Sequence, residues 1–257
     1  MELGKSREGE RLQRVGSRGQ FPRDGVWSYS CGMCQRLVIP GREEAEQEIS
    51  VSNPWWTFET RFNVAPLQSV PAARMHERES EGVVMRWGLL PASRRPDAPG
   101  EPDPTLTSTV MEESEEYRTV WLHGQRCIVP VAGFYIWQRS DSGHRQPFYV
   151  RVVNRPVFGV AALWDRFVTE KDDDVIEGCA LLTVPANTLL AGIETTGAMP
   201  AILPREAYET WLGGRPAEAR NLLQGYPAER MVRHAVGPHV NFPQFDDPVL
   251  IRPIRHG

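Results

Sequence analysis

Apolar side chains fall along this chain in short runs of strand length, each closed off by turn residues. The runs are Val83-Val-Met-Arg-Trp, Arg126-Cys-Ile-Val-Pro, Gly133-Phe-Tyr-Ile-Trp, Phe148-Tyr-Val-Arg-Val-Val, Val157 to Trp164 and Cys179 to Val184. Segments of this length, rich in β-branched and aromatic residues, predict a core made mostly of sheet. Turn clusters at Asp141-Ser-Gly, Asn154-Arg-Pro and Lys171-Asp-Asp-Asp join neighbouring runs so closely that antiparallel hairpins are expected there. Helices are fewer. An acidic segment from Arg42 to Ile49 opens after Gly41, Asn187 is placed to cap a helix through Ile193, and Pro204 to Gly214 has proline near its start and glycine at its end. A further helix is expected over Pro216 to Leu223, and the five prolines between Pro91 and Pro104 mark a surface loop.

Patterning begins only at Arg36-Leu-Val-Ile. Residues 1–32 hold six basic and four acidic side chains with no periodic apolar positions, so they read as a disordered or extraneous leader before one domain, 33–257. No apolar run approaches the ~20 residues that cross a bilayer, and the first residues lack the apolar stretch of a secretory signal. A cytoplasmic monomer is the expectation. Four cysteines in 257 residues are too few for a disulfide scaffold, and Cys127 and Cys179 fall inside apolar runs where a buried reduced thiol is the usual state. The formal charge of -4 means that any grip on phosphates needs a local basic patch. Lysine occurs only at Lys5 and Lys171, so that patch would be made of arginine, although a GC-rich coding bias is the plainer reading of the arginine excess.

Several phrases, in order, resemble one family. Met33-Cys-Gln-Arg, Phe62-Asn-Val-Ala-Pro, Met85-Arg-Trp-Gly-Leu-Leu-Pro and Arg126-Cys-Ile-Val-Pro-Val-Ala-Gly-Phe-Tyr-Ile-Trp resemble the motifs of the SOS-response-associated peptidase (SRAP) proteins. Thr183-Val-Pro-Ala-Asn, Met199-Pro-Ala-Ile-Leu and Val236-Gly-Pro-His-Val-Asn extend the resemblance, which covers about Met33 to Ile254. It implies an α+β fold, largely an antiparallel β-barrel with a few peripheral helices, and a groove for single-stranded DNA. It also implies a covalent link to abasic sites. In that chemistry a free α-amine forms an imine with the opened sugar's aldehyde and the neighbouring thiol closes a thiazolidine ring, so both groups belong to one N-terminal cysteine. The matching residue is Cys34. Its nitrogen is an amide unless synthesis begins at Met33, which the unpatterned leader favours, or unless the leader is cut away.

The other family positions are replaced. The asparagine and arginine of its N-A-R-S-E-T phrase fall on Thr105 and Thr107, and the glutamate of F-Y-E-W, the family's general acid and base, falls on Ile136. Its histidine falls on Glu194 or Thr196, and the arginine that follows on Ala198. None of the six histidines of this chain falls at the family's histidine position, and they read as surface side chains. What the resemblance leaves is a binding set, Arg36, Arg86, Trp87, Arg118 and Trp137, with core packing as the plain alternative for both tryptophans.

The expected partner is therefore single-stranded DNA carrying abasic sites, with no cofactor, metal or membrane. The competing reading is a catalytically inactive remnant that binds DNA or a protein noncovalently. Cys31-Gly-Met-Cys34 is a C-x-x-C, but no second ligand pair accompanies it to hold zinc. Peptidase action on the leader needs a base beside Cys34, and the sequence offers none.

Overall fold

The computed structural model describes residues 36–53, 56–93, 101–139, 143–168, 175–193 and 197–254. Strand β1 (Leu37–Ile39) is buried on all three side chains, and Gly41 then opens helix α1 (Arg42–Glu48), where Glu44 reaches back to the Gly41 amide. That bond satisfies the Gly41 amide, and the acidic first turn suits the helix dipole.

β1 lies inside a five-stranded antiparallel sheet. It pairs on one side with β2 (Arg61–Val64) and on the other with β7 (Gly133–Arg139), which continues through β8 (Arg145–Val152) to β12 (Met231–Ala235). The second sheet follows the order β10 (Val175–Pro185), β4 (Glu79–Trp87), β3 (Ser69–His76), β6 (Arg126–Val131), β9 (Phe158–Val168), and β9 returns to pair with β10. Five strands thus close on themselves as a barrel, with β4 and β10 the one parallel neighbour pair among them. Beyond the barrel, the far half of β10 is flanked by β5 (Thr105–Thr107), parallel, and β11 (Ala198–Pro200), antiparallel. This is the α+β, mostly antiparallel barrel architecture expected.

Two of the three anticipated hairpins form, β7 with β8 and β9 with β10. Asn154-Arg-Pro does not make one. It carries the chain from β8, which pairs with β7 and β12, into β9 of the other sheet, with Asn154 in the left-handed region at φ 55°. The Asn187 segment is also not a helix; its side chain accepts from the amides of Leu189 and Leu190 and donates to the Tyr226 carbonyl, closing a single turn. The sequence pattern passed over β3, and over helices α2 (Ser108–Glu113) and α3 (Glu115–Leu122). Helices α4 (Tyr208–Gly213) and α5 (Pro216–Arg220) follow the proline signals. No helix among the described residues is long and apolar enough to cross a membrane.

The five-stranded sheet has two apolar faces because its strands alternate in to out. Leu37, Phe134, Ile136 and Val150 point into the main core shared with the barrel. Val38, Tyr135, Trp137 and Tyr149 point the other way and are covered by the C-terminal segment through Val236, Val240 and Leu250.

Candidate functional site

The start of β1 fixes where the chain enters the sheet. The Tyr135 amide donates to the Arg36 carbonyl at 3.1 Å, so the N-terminal end of β1 lies at the end of β7 that carries Ile136 and Trp137. Cys34 is two residues before Arg36 and lies outside the described residues, as do Cys31, Glu194 and Thr196. Arg36 is half-buried, and desolvation lowers its guanidinium pKa to about 10. Gly133, which opens the Gly133-Phe-Tyr phrase, is required because the Tyr149 ring occupies the space a Cβ would take.

Ile136 and Trp137 are neighbours on opposite faces. Ile136 is 0% exposed in the main core, across from Phe148. The Trp137 ring is 8% exposed; its Nε1 donates to Asn241 Oδ1 at 2.8 Å, and the Arg145 guanidinium lies over it at 5.6 Å from the ring centroid. Beside them, burial raises the Tyr135 hydroxyl pKa far above its ordinary value and pushes Tyr149 up to about 12, so neither exchanges a proton readily near neutral pH.

Thr105, Thr107 and Ala198 meet around β10. Thr105 lies opposite Leu181, Thr107 opposite Thr183 and Ala198 opposite Pro185, so the two threonines flank one side of the strand and the alanine the other. Thr105 is buried, while Thr107 Oγ1 accepts from the Val110 amide at 3.1 Å and caps α2. None of these side chains, nor Ile136, titrates near neutrality, so they cannot perform general acid–base work. Burial and contact with Cys179 push the Cys127 thiol well above its ordinary pKa, which makes it a packing residue and no nucleophile. Among the described residues no group of His, Cys, Asp or Glu side chains is placed to hold a metal ion.

The arginines are spread over three elements. Arg86 stands on β4 beside a notch of about 10 Å³, room for one water, lined by Leu90, Pro102, Phe167 and Ile176. Arg118 is exposed on α3, and Arg36 precedes β1. Trp87 corrects an expectation: it is 0% exposed, with Nε1 donating to the Pro104 carbonyl at 2.8 Å, so no face of its ring is open to a base.

The SOS response associated peptidase (SRAP) family profile matches residues 33–243. The chain belongs to the SRAP family. Abasic site processing protein YoqW of Bacillus subtilis is 27% identical over 225 residues, covering 85% of this chain and 99% of that protein. Abasic site processing protein HMCES of Gallus gallus is 28% identical over 239 residues, 79% of this chain and 70% of that one. A crystal structure of a protein from Bacteroides thetaiotaomicron shares the fold at TM-score 0.74 and 21% identity, covering 86% of this chain and 100% of that one. One from Bordetella bronchiseptica does so at 0.69 and 25%, covering 79% and 100%.

In this SRAP chain, reading the motif phrases missed side chains that none of them contains. Arg74 and Arg166 bind Glu81 and Glu177 at one end of the barrel, and Arg139 faces Arg145 across the β7–β8 hairpin. The hairpin signal Asp141-Ser-Gly could have found the second pair, since residues spaced evenly about a turn face each other. No local signal marks the first, whose members come from four strands.

Proposed function

We propose that this chain processes abasic sites in single-stranded DNA, with Cys34 as the residue that bonds the opened sugar. The observation that carries this is the extent of the family match, which begins at residue 33, directly before Cys34. Relatives bearing the name abasic site processing protein match most of this chain, which supports the same substrate. The amine of Cys34, once it is the first residue, condenses with the sugar aldehyde and releases water to leave an imine. The thiol then adds to the imine carbon, its proton passes to the nitrogen, and a thiazolidine closes.

Ile136 changes the rate, not the bonds formed. Without a carboxylate to relay protons, the condensation loses a factor of about 10² to 10⁴ and depends on water and on the amine itself. Arg36, Arg86 and Arg118 are the family-motif cations that would meet the strand's phosphates, and Trp137 is the aromatic residue kept with them in the binding set. Trp87 is left out because its ring is enclosed.

Intact mass spectrometry of the purified protein, before and after incubation with a single-stranded oligonucleotide carrying one abasic site, tests the reading. A stable adduct that disappears in Cys34→Ala is the expected result. A protein that starts at Cys34 and forms no adduct leaves the noncovalent remnant in its place.

A further inference from the structure

We propose that Arg139 and Arg145 form a clamp for one phosphodiester of the bound strand, held in place by Trp137 as a positioning residue. The inference rests on the proposed function and names a contact to the same substrate that none of the motif phrases contains.

Arg139 and Arg145 are register partners across β7 and β8, which sets their Cβ atoms about 5 Å apart. Like charges directly opposite destabilise a hairpin. Other arginines of the chain are paired with acids, among them Arg42 with Glu46, Arg155 with Glu48 and Arg220 with Glu112. Arg139 and Arg145 are both exposed and have no carboxylate partner among the described residues. Two adjacent guanidiniums with no carboxylate partner among the described residues are a site for an anion, and the planar donor fork of arginine suits the two free oxygens of a phosphodiester.

Trp137 makes the pair directional. Pinned by Asn241 and almost fully covered, its ring carries the Arg145 guanidinium by a cation–π contact, which leaves the outer donor edge free. The end of β7 that bears Trp137 and Arg139 is the one beside which the N-terminal end of β1 lies, and the chain leads back from there to Cys34. A strand held at the clamp therefore passes the end of the sheet at which Arg36 leads into β1.

The test is fluorescence anisotropy with a single-stranded oligonucleotide that lacks an abasic site, so that no covalent step contributes, titrated over a series of salt concentrations. The variant R139Q/R145Q is expected to bind about tenfold more weakly at low salt, with the slope of log K against log salt reduced by about 0.7, the value for one phosphate of a single strand. R215Q, an exposed arginine paired with Glu218 on α5, leaves both unchanged. For the positioning role, W137F weakens binding in the native background and adds no further loss in R145Q. Unchanged affinity and slope in a folded R139Q/R145Q overturns the clamp alone, and equal losses from W137F in both backgrounds overturn the role of Trp137. A native protein that binds no single strand at low salt overturns the proposed function and the clamp with it.

Discussion

The guanidinium carbon of Arg74 lies 4.2 Å from the centroid of the Trp164 ring, and the same guanidinium donates to Glu81 at 2.5 Å and to Glu177 at 2.9 Å. Arg74 comes near the end of β3, Glu81 near the start of β4, Glu177 near the start of β10 and Trp164 on β9, so one side chain ties four of the five barrel strands together at a single end. Register places Arg74 beside Cys127, Cys127 opposite Ala162 and Cys179 opposite Trp164, which puts all of them on the barrel's inner face.

Replacing Arg74 by methionine keeps the stem but leaves Glu81 without its partner and Glu177 with only Arg166. Breaking a buried pair costs about 3 to 5 kcal/mol because a charge is left uncompensated. Urea unfolding should show that loss, with Arg74→Lys intermediate because lysine cannot reach both carboxylates in one plane. Equal stability of the methionine variant and the native protein would mean that the network contributes nothing net.

The same network sets an acid limit. Burial raises the pKa of Glu177, but the hydrogen bonds and charges of Arg74 and Arg166 outweigh it and hold the carboxyl below its ordinary value. The unfolded chain therefore binds a proton there more readily than the folded one, and stability rises with pH across that window. This contribution is fully present above the ordinary carboxylate pKa of about 4.3 and is lost as pH falls through the lower folded value. Thermal melts from neutral pH into that range should show Glu177→Gln less stable than the native protein at pH 7 and flatter in its acid decline.

The strands that sequence revealed most clearly are those whose apolar runs are buried on both faces, such as β6, where all six side chains are buried, and β9. β3 escaped notice because Pro71 and the two alanines after it interrupt the usual strand composition; Ala72 shares the barrel's inner face with Arg74, and Pro71 and Ala73 lie on the other face, where they too are buried. Helices α2 and α3 were hidden by their polar composition; packing of Met111, Tyr117 and Trp121 stabilises them, and that is a tertiary effect. At the site, the motif phrases located Ile136, Thr105 and Ala198. They could not say that Trp87 faces the core, because every second residue of a strand does so and the phase depends on register. Nor do they contain Arg139 and Arg145, whose pairing is implied instead by the hairpin signal Asp141-Ser-Gly.

Ile136→Glu restores the family's residue type, yet Ile136 is fully enclosed among Leu37, Phe134 and Val150. These neighbours are apolar and offer the new carboxyl neither charge nor hydrogen bond, so it would stay protonated well above its ordinary pKa. The variant should lose about 3 kcal/mol or more in urea unfolding, whereas Ile136→Leu should lose under about 1.5 kcal/mol. Its adduct yield with an abasic oligonucleotide should not rise. A stable Ile136→Glu protein that cross-links faster would show that the pocket opens to accept the acid.

Asn63 ties the C-terminal segment to the sheet. Its Nδ2 donates to the Phe242 carbonyl at 3.0 Å and the Phe245 carbonyl at 2.9 Å, while its backbone amide and that of Phe62 donate to Asp246. The segment so held brings Asn241 to Trp137 and covers the outer face of the five-stranded sheet through Val240 and Leu250. Asn63→Ala strands two carbonyls at a fully buried position, a loss of about 1 to 3 kcal/mol. The loss should be local. Hydrogen exchange is expected to quicken at the Phe245 and Leu250 amides, which bond within the segment, while the Ala161 amide in the barrel keeps its protection. Trp137 emission should shift to the red as its cover loosens, and phosphodiester affinity should fall with it, because the ring that carries Arg145 is no longer pinned. Uniform acceleration across both sheets would show instead that the segment and the barrel unfold as one unit.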